Sequence, residues 1–326
     1  MDLIESYAQD LQLMRKTWTK VWVMGVIVTL AMLPWFASEH AVYLATLVAM
    51  YTIGVQGQNL LIGYTGQISF GQAGFLCVGA YSFGHLSRMG VPWPLALPAA
   101  GLITALFGVV VGFPSLRLKG PYLAVATLGF GIAVYQIFVN STLLSGGRMG
   151  LAVTKLSPLW GLSSVNLSYY LNFGVALLFT LATYNIVSSY LGRAFVAIRD
   201  NDIAAEIMGV DLARYKLLVF AVSSFYLGVQ AGLYALLLGY LEPNMFTFSE
   251  TITFLVAGIV GGLASVEGAM LGAAFVVVVP FVFSGLKQAV PALFGTAVIL
   301  VLLFEPGGLA GCWAKTRAYF RQWPFR

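Results

Sequence analysis

Five side-chain amides stand close together in an otherwise apolar stretch: Gln56, Gln58, Asn59, Gln67 and Gln72. Tyr64, Thr65 and Ser69 lie among them. These groups donate and accept hydrogen bonds without carrying charge, which fits contact with a net-neutral solute. Amides at this density in an apolar setting need partners or water. Gly63 and Gly66 can interrupt helical geometry and uncover backbone groups. Residues 63–71 are therefore expected to form a broken segment beside a solute path. Backbone N–H groups at the start of a helix from about residue 68 would then meet a carboxylate or carbonyl oxygen. The other reading is that the amides bond only between helices. The sequence leaves both open.

The same stretch, GYTGQISFGQAGFLCVGAY over residues 63–81, is rich in glycine but holds no lysine, which excludes a phosphate-cradling loop. Ser69, Ala73, Cys77, Ala80 and Gly84 recur at helical spacing and give one face of small side chains. Such a face lets helices approach closely in lipid, and Gly63, Gly66, Gly71 and Gly74 are expected to serve the same packing. No other cluster suggests catalysis. His40 and His85 are isolated, Cys77 and Cys312 are far apart, and no metal site is expected. A membrane enzyme would need a grouped nucleophile, acid–base pair or metal site, and none is evident.

The elements that position these residues are apolar helices. Of 326 residues, 60% are hydrophobic and 9% charged, against about 25% charged in soluble domains. Apolar segments of about 17–23 residues predict an all-α, polytopic membrane helix bundle. Ten candidate spans fall at about 21–38, 41–62, 68–87, 94–114, 121–141, 168–190, 217–240, 251–266, 268–285 and 289–306. The eighth is short enough to dip rather than cross, so eight to ten transmembrane helices are expected. With ten spans, thirteen of the seventeen basic residues lie on the side of the termini, which predicts cytoplasmic termini. The net charge of +5 is thus a topology signal, not a nucleic-acid surface. Loop 142–167 would face outward and loop 191–216 inward.

The N-terminus is acidic at Asp2, Glu5 and Asp10, unlike a signal peptide. Residues 1–20 are expected to hold an amphipathic helix on the membrane surface, and residues 312–326 a basic cytoplasmic tail. Between them, 21–311 is expected to be one transmembrane domain. Its spans hold almost no ionisable residues: Glu250 and Glu267 fall at predicted ends or turns. There is no Walker A motif, so energy for uphill movement must come from another subunit. A faint internal echo aligns Gly63, Gly66 and Ile68 with Gly258, Gly261 and Leu263.

The inward loop carries GRAFVAIRDNDIAAEIMGVDLARYKLLVF, residues 192–220. Asp200 or Asn201 can cap a two-turn helix over 201–208, with Asp202 and Glu206 early in it. Gly209 can stop it in the left-handed conformation, and Asp211 can cap the next helix. Two turns are unstable in isolation and need a surface to pack on. That surface is either a partner protein or the chain's own membrane domain.

Ala204, Ala205 and Gly209 resemble the A-A-x3-G part of the cytoplasmic loop signature of ABC importer permeases, although Ile203 stands where that signature has glutamate. The whole loop is similar to that of the branched-chain amino-acid permeases of the LivM type. So are residues 63–81, LRLKGPYLAVATLGFG at 116–131, GGLASVEGAMLGAAFVVVVP at 261–280 and LLFEPGGLAG at 302–311. The resemblance implies an inner-membrane transport subunit paired with a second, homologous permease. It implies two cytoplasmic ATPase subunits that bind ATP and magnesium, so that this chain holds no cofactor. An extracytoplasmic binding protein would deliver the solute: a branched-chain amino acid, or alternatively urea or a short amide. Ile203, Ala204, Ala205, Ile207 and Met208 would bury at the ATPase joint, with Arg193, Arg199, Asp202 and Glu206 around them. A self-contained channel or facilitator is the competing class, and the loop argues against it.

Overall fold

The computed structural model describes residues 17–118, 120–156, 163–283, 290–305 and 307–322. The predicted surface helix falls mostly on residues 1–16, outside the described residues. Among the described residues the regular elements are helices and one pair of two-residue strands. Helix α1 spans Thr17–Phe36 and α2 spans Glu39–Asn59, continued by a π-helical turn at Leu60–Tyr64. Then come α3 (Gln72–Arg88), α4 (Trp93–Ser115), α5 (Pro121–Asn140) and a single turn, α6 (Thr142–Ser145). Strand β1 (Leu151–Ala152) precedes α7 (Ser164–Ser188), α8 (Tyr190–Asp200) and α9 (Asp202–Ile207). Helix α10 (Leu212–Leu238) leads to β2 (Tyr240–Leu241), α11 (Phe248–Gly261), α12 (Val266–Val282), α13 (Val290–Phe304) and α14 (Gly308–Gln322).

Helix α10 is the central element. It packs along α4, α3 and α2, and α2 in turn packs on α7 and α12. Its N-terminal end adjoins α8 and α9. Its C-terminal end adjoins β2, which pairs antiparallel with β1 in the register Leu151↔Leu241. Close approach at the centre depends on missing side chains. A Cβ on Gly79 of α3 would lie 2.6 Å from the Gly228 Cα of α10, and one on Gly228 would lie 3.0 Å from the Gly101 Cα of α4. Ala73, Cys77, Ala80 and Gly84 are all buried as expected, but the tightest backbone contact of α3 is off their stripe, at Gly79. Ser69 precedes the helix and is not part of that face.

Several polar groups in the bundle find partners within it. Pro34 has no N–H, so the Leu30 carbonyl of α1 loses its intrahelical partner. The Tyr169 hydroxyl of α7 donates to that oxygen at 2.6 Å. Thr46, Thr52 and Thr104 donate back to carbonyls one turn earlier, which leaves no bare hydroxyl in the bundle at these sites.

The ten apolar segments read from the sequence fall on α1–α5, α7 and α10–α13. Five helical stretches among the described residues qualify as membrane-crossing by length and composition: 93–114, 121–140, 164–188, 212–238 and 243–261. A sixth is added if Pro291–Phe304 and Gly308–Arg317, which meet at 43°, act as one broken span. The others fall short for physical reasons. Helix α2 is diluted by glycine and amides, and α3 and α12 have only 17 residues each. Helix α3 starts four residues later than expected from the apolar run, because residues 66–71 are not helical. The eighth span ends at Gly261, where Gly262 (φ 120°) and Ala264 (φ 57°) turn the chain sharply into α12.

Candidate functional site

Two regions of predicted function meet at the α8–α9 end of the bundle. Helix α8 begins at the Ser189 cap, whose hydroxyl accepts from Leu191 N at 3.1 Å. It buries Ala194, Phe195 and Ile198 against the bundle. Asn201 then turns extended, and its Oδ1 accepts from the N–H groups of Ile203 and Ala204, both at 3.1 Å. Of the two candidate caps, Asn201 is the one used. Helix α9 covers 202–207 rather than 201–208. Gly209 closes it with φ 88°, and Asp211 caps α10 by accepting from Arg214 N.

Six helical residues cannot hold themselves. Helix α9 is held by Ala205, which is 4% exposed, and by Lys216 Nζ of α10, 3.7 Å from Asp202 Oδ2. Lys216 is itself buried and was not legible as a partner of the loop. On the other side α9 presents Ile203, Ile207 and Met208, which are 63%, 80% and 83% exposed. Ala204 and Glu206 are exposed too, as is Arg193 on α8. Three of the assigned residues make contacts within the chain. Ala205 packs into its own chain. Asp202 faces Lys216 at 3.7 Å and stays partly exposed. Arg199 remains exposed and pairs with Asp200 through Nε at 3.1 Å, while its Nη1 donates to the Gly63 carbonyl at 3.2 Å.

Gly63 lies in the π-helical turn that ends the α2 run, and the chain then leaves helical geometry. Gly66 adopts φ 68°, where a side chain would be strained. The expected break is present, held by bonds on all sides. Thr127 Oγ1 of α5 accepts from Phe70 N at 2.9 Å, and Thr251 Oγ1 of α11 accepts from Ala73 N at 3.2 Å. Ser69 Oγ accepts from Gly71 N at 3.3 Å. Side-chain hydroxyls thus occupy several N–H groups that were expected to face a solute.

The amides divide into two sets. Gln56 Nε2 donates to Thr180 Oγ1 at 2.8 Å, and its Oε1 lies 3.3 Å from Thr183 Oγ1, which pins α2 to α7. Asn59 donates to the Ser265 carbonyl and accepts from Ala264 N, both at 2.8 Å. It therefore clamps the left-handed Ala264 at the α11–α12 turn. These two amides are interhelical ties. Gln58, Gln67 and Gln72 are also buried, but each has an amide oxygen without a protein partner. Gln67 and Gln72 spend their NH2 groups locally, on Thr65 Oγ1 and the Ser69 carbonyl. Tyr64 and Thr65 are buried in the same region, at 7% and 3% exposure. Gly63, Gly71 and Gly74 are packed closely, against Ala264, Thr127 and Gly131 respectively.

A small cavity of about 20 Å³ lies between α2, α3, α10 and α11. Met50, Tyr51, Leu76, Gln230, Tyr234 and Glu250 line it. The Tyr51 hydroxyl donates to Glu250 Oε2 at 3.1 Å. The sequence puts Glu250 at a span end, and it lies in the first turn of α11, where it lines this cavity. Gln230, in the middle of α10, was not singled out, because one amide in a long apolar helix carries no pattern.

The fold defines a multi-pass helical membrane protein. The chain belongs to the family described as branched-chain amino acid transport system / permease component, which it matches over residues 40–304. It is similar to the high-affinity branched-chain amino acid transport system permease protein LivM of Salmonella typhimurium. That relative is 30% identical over 316 residues, spanning 89% of this chain and 74% of the relative. LivM of Escherichia coli is 31% identical over the same shares. BraD of Pseudomonas aeruginosa is 29% identical over 82% of this chain and 96% of its own length. No solved structure matches the chain significantly.

Proposed function

We propose that this chain is one permease subunit of an ATP-driven importer for branched-chain amino acids. It sits in the bacterial inner membrane with both termini in the cytoplasm. A second homologous permease completes the path, two ATPases supply the energy, and a binding protein delivers the solute from outside. The observation that carries this reading is α9: a short helix fastened on one side by Ala205 and Lys216, with Ile203, Ile207 and Met208 bare on the other. Exposed apolar side chains on a rigid mount at one end of a bundle fit a groove on a soluble partner. The relatives' names supply the solute class.

Within the bundle, the unpartnered oxygens of Gln58, Gln67 and Gln72 support a path beside them. They accept N–H donors, which serves urea or a short amide as well as an amino acid, so an amide permease is the second reading. Purifying the chain with its ATPases and reconstituting the complex with a loaded binding protein tests both. Uptake of leucine that requires ATP supports the first reading, and uptake of urea alone supports the second. Transport by this chain without ATPases would make it a facilitator.

A further inference from the structure

We infer that Glu250, Gln230 and Tyr51 form the subsite that receives the protonated amino group of the transported solute. This rests on the importer reading and adds where the solute is held. Three observations converge on the cavity between α2, α3, α10 and α11. Its polar lining includes Glu250 and Gln230, both of which carry hydrogen-bond acceptors. Gln230 is 3% exposed and its Oε1 has no protein partner. Glu250 makes no ion pair with any described residue; its one bond is from the Tyr51 hydroxyl. A carboxylate that lines a pocket with Met50 and Leu76 inside a membrane-length helix is unfavourable unless a cation or proton meets it.

Size and position agree with that ligand. About 20 Å³ has room for one water-sized group, which an ammonium matches. An ammonium has three donors and no acceptor, the complement of a carboxylate plus an unpartnered amide oxygen. Gly54 of α2 leaves the space that Gln230 Oε1 occupies, since any Cβ there would collide with it. Leu76 stands one turn into α3 from Gln72, so the subsite adjoins the break that carries the free amides. Gln67, Gln72 and this cavity then line one route, with the charged group of the solute read at Glu250.

The test uses the assembled transporter in proteoliposomes, with leucine as probe, and reads leucine accumulated per ATP hydrolysed. Glu250→Gln is expected to lower that ratio about tenfold or more, the worth of a hydrogen bond to a charged group. Glu250→Asp keeps the charge and should recover part of it. The thermal stability of the Glu250→Gln complex should equal or exceed wild type, since an unpaired interior charge has been removed. A ratio unchanged in Glu250→Gln overturns the inference. So does a loss of stability that parallels the loss of uptake in both Glu250→Gln and Gln230→Leu, which would make the residues structural. A wild-type complex that carries urea but not leucine also overturns it while leaving the permease reading intact. Absence of ATP-driven uptake by wild type would overturn the importer reading itself.

Discussion

Arg199 donates from Nη1 to the carbonyl oxygen of Gly63 at 3.2 Å, across the space between α8 and the π-helical turn after α2. The contact is tight on both sides. A Cβ on Gly66 would lie 3.0 Å from Arg199 Cγ. Arg199 also stands two residues before Asn201, the cap of α9. One hydrogen bond therefore links the helix that leads into α9 with the broken segment.

Arg199→Ala should uncouple this link. ATP-driven uptake is expected to fall roughly fivefold or more, the usual range of a coupling between sites. The ATPases should still co-purify, since Ile203, Ile207 and Met208 remain exposed. Arg199→Lys should recover only part of the uptake, because lysine keeps the charge but loses the planar fork. Equal uptake by wild type and Arg199→Ala would remove the link from the mechanism.

Ile207→Asp and Met208→Asp should abolish ATPase co-purification. Both side chains are more than three-quarters exposed, so the permease itself should express and melt like wild type. A central apolar anchor at a protein joint is typically worth about 2 kcal/mol or more. Ala205→Arg is expected to behave differently: it overfills a buried site and should lower the stability of the permease alone. If both aspartate variants still retain the ATPases, α9 is not the docking surface.

Asn59→Leu should destabilise the fold. It strands Ala264 N and the Ser265 carbonyl at a turn already carrying a non-glycine residue at positive φ. Unmaking such buried bonds costs about 1–3 kcal/mol each, read as a lower melting temperature. The residue belongs to packing, so loss of uptake should follow loss of protein.

Gln67→Leu and Gln72→Leu should show a different pattern. Each removes an amide whose oxygen has no protein partner and which makes one local bond through its NH2, so stability should fall less than in Asn59→Leu while uptake falls. Normal uptake by both variants would exclude them from the path.

Much of this was legible in the sequence, and the misses have definite causes. Span positions follow from long apolar runs. The Asn201–Gly209 frame of α9 follows from capping chemistry that needs only local residues. The start of α3 was misplaced because Ile68 and Phe70 extend the apolar run, whereas the Thr127 and Thr251 hydroxyls that hold the backbone there come from distant helices. Ala204 and Ala205 look alike in sequence; only the neighbouring α10 decides which one is buried. The split between Gln56 and Gln67 depends on Thr180 and Thr183, more than a hundred residues away. Glu250 reads as a span end by hydropathy, and only the packing of α2 and α10 turns it into a cavity wall.

The most direct test of the importer reading is leucine uptake into proteoliposomes holding this chain, its partner permease and both ATPases, with loaded binding protein outside and ATP inside. Accumulation against a gradient, lost without ATP and lost with Ile207→Asp, is the predicted result. Equal leucine flux with and without ATP, or from this chain alone, would contradict it.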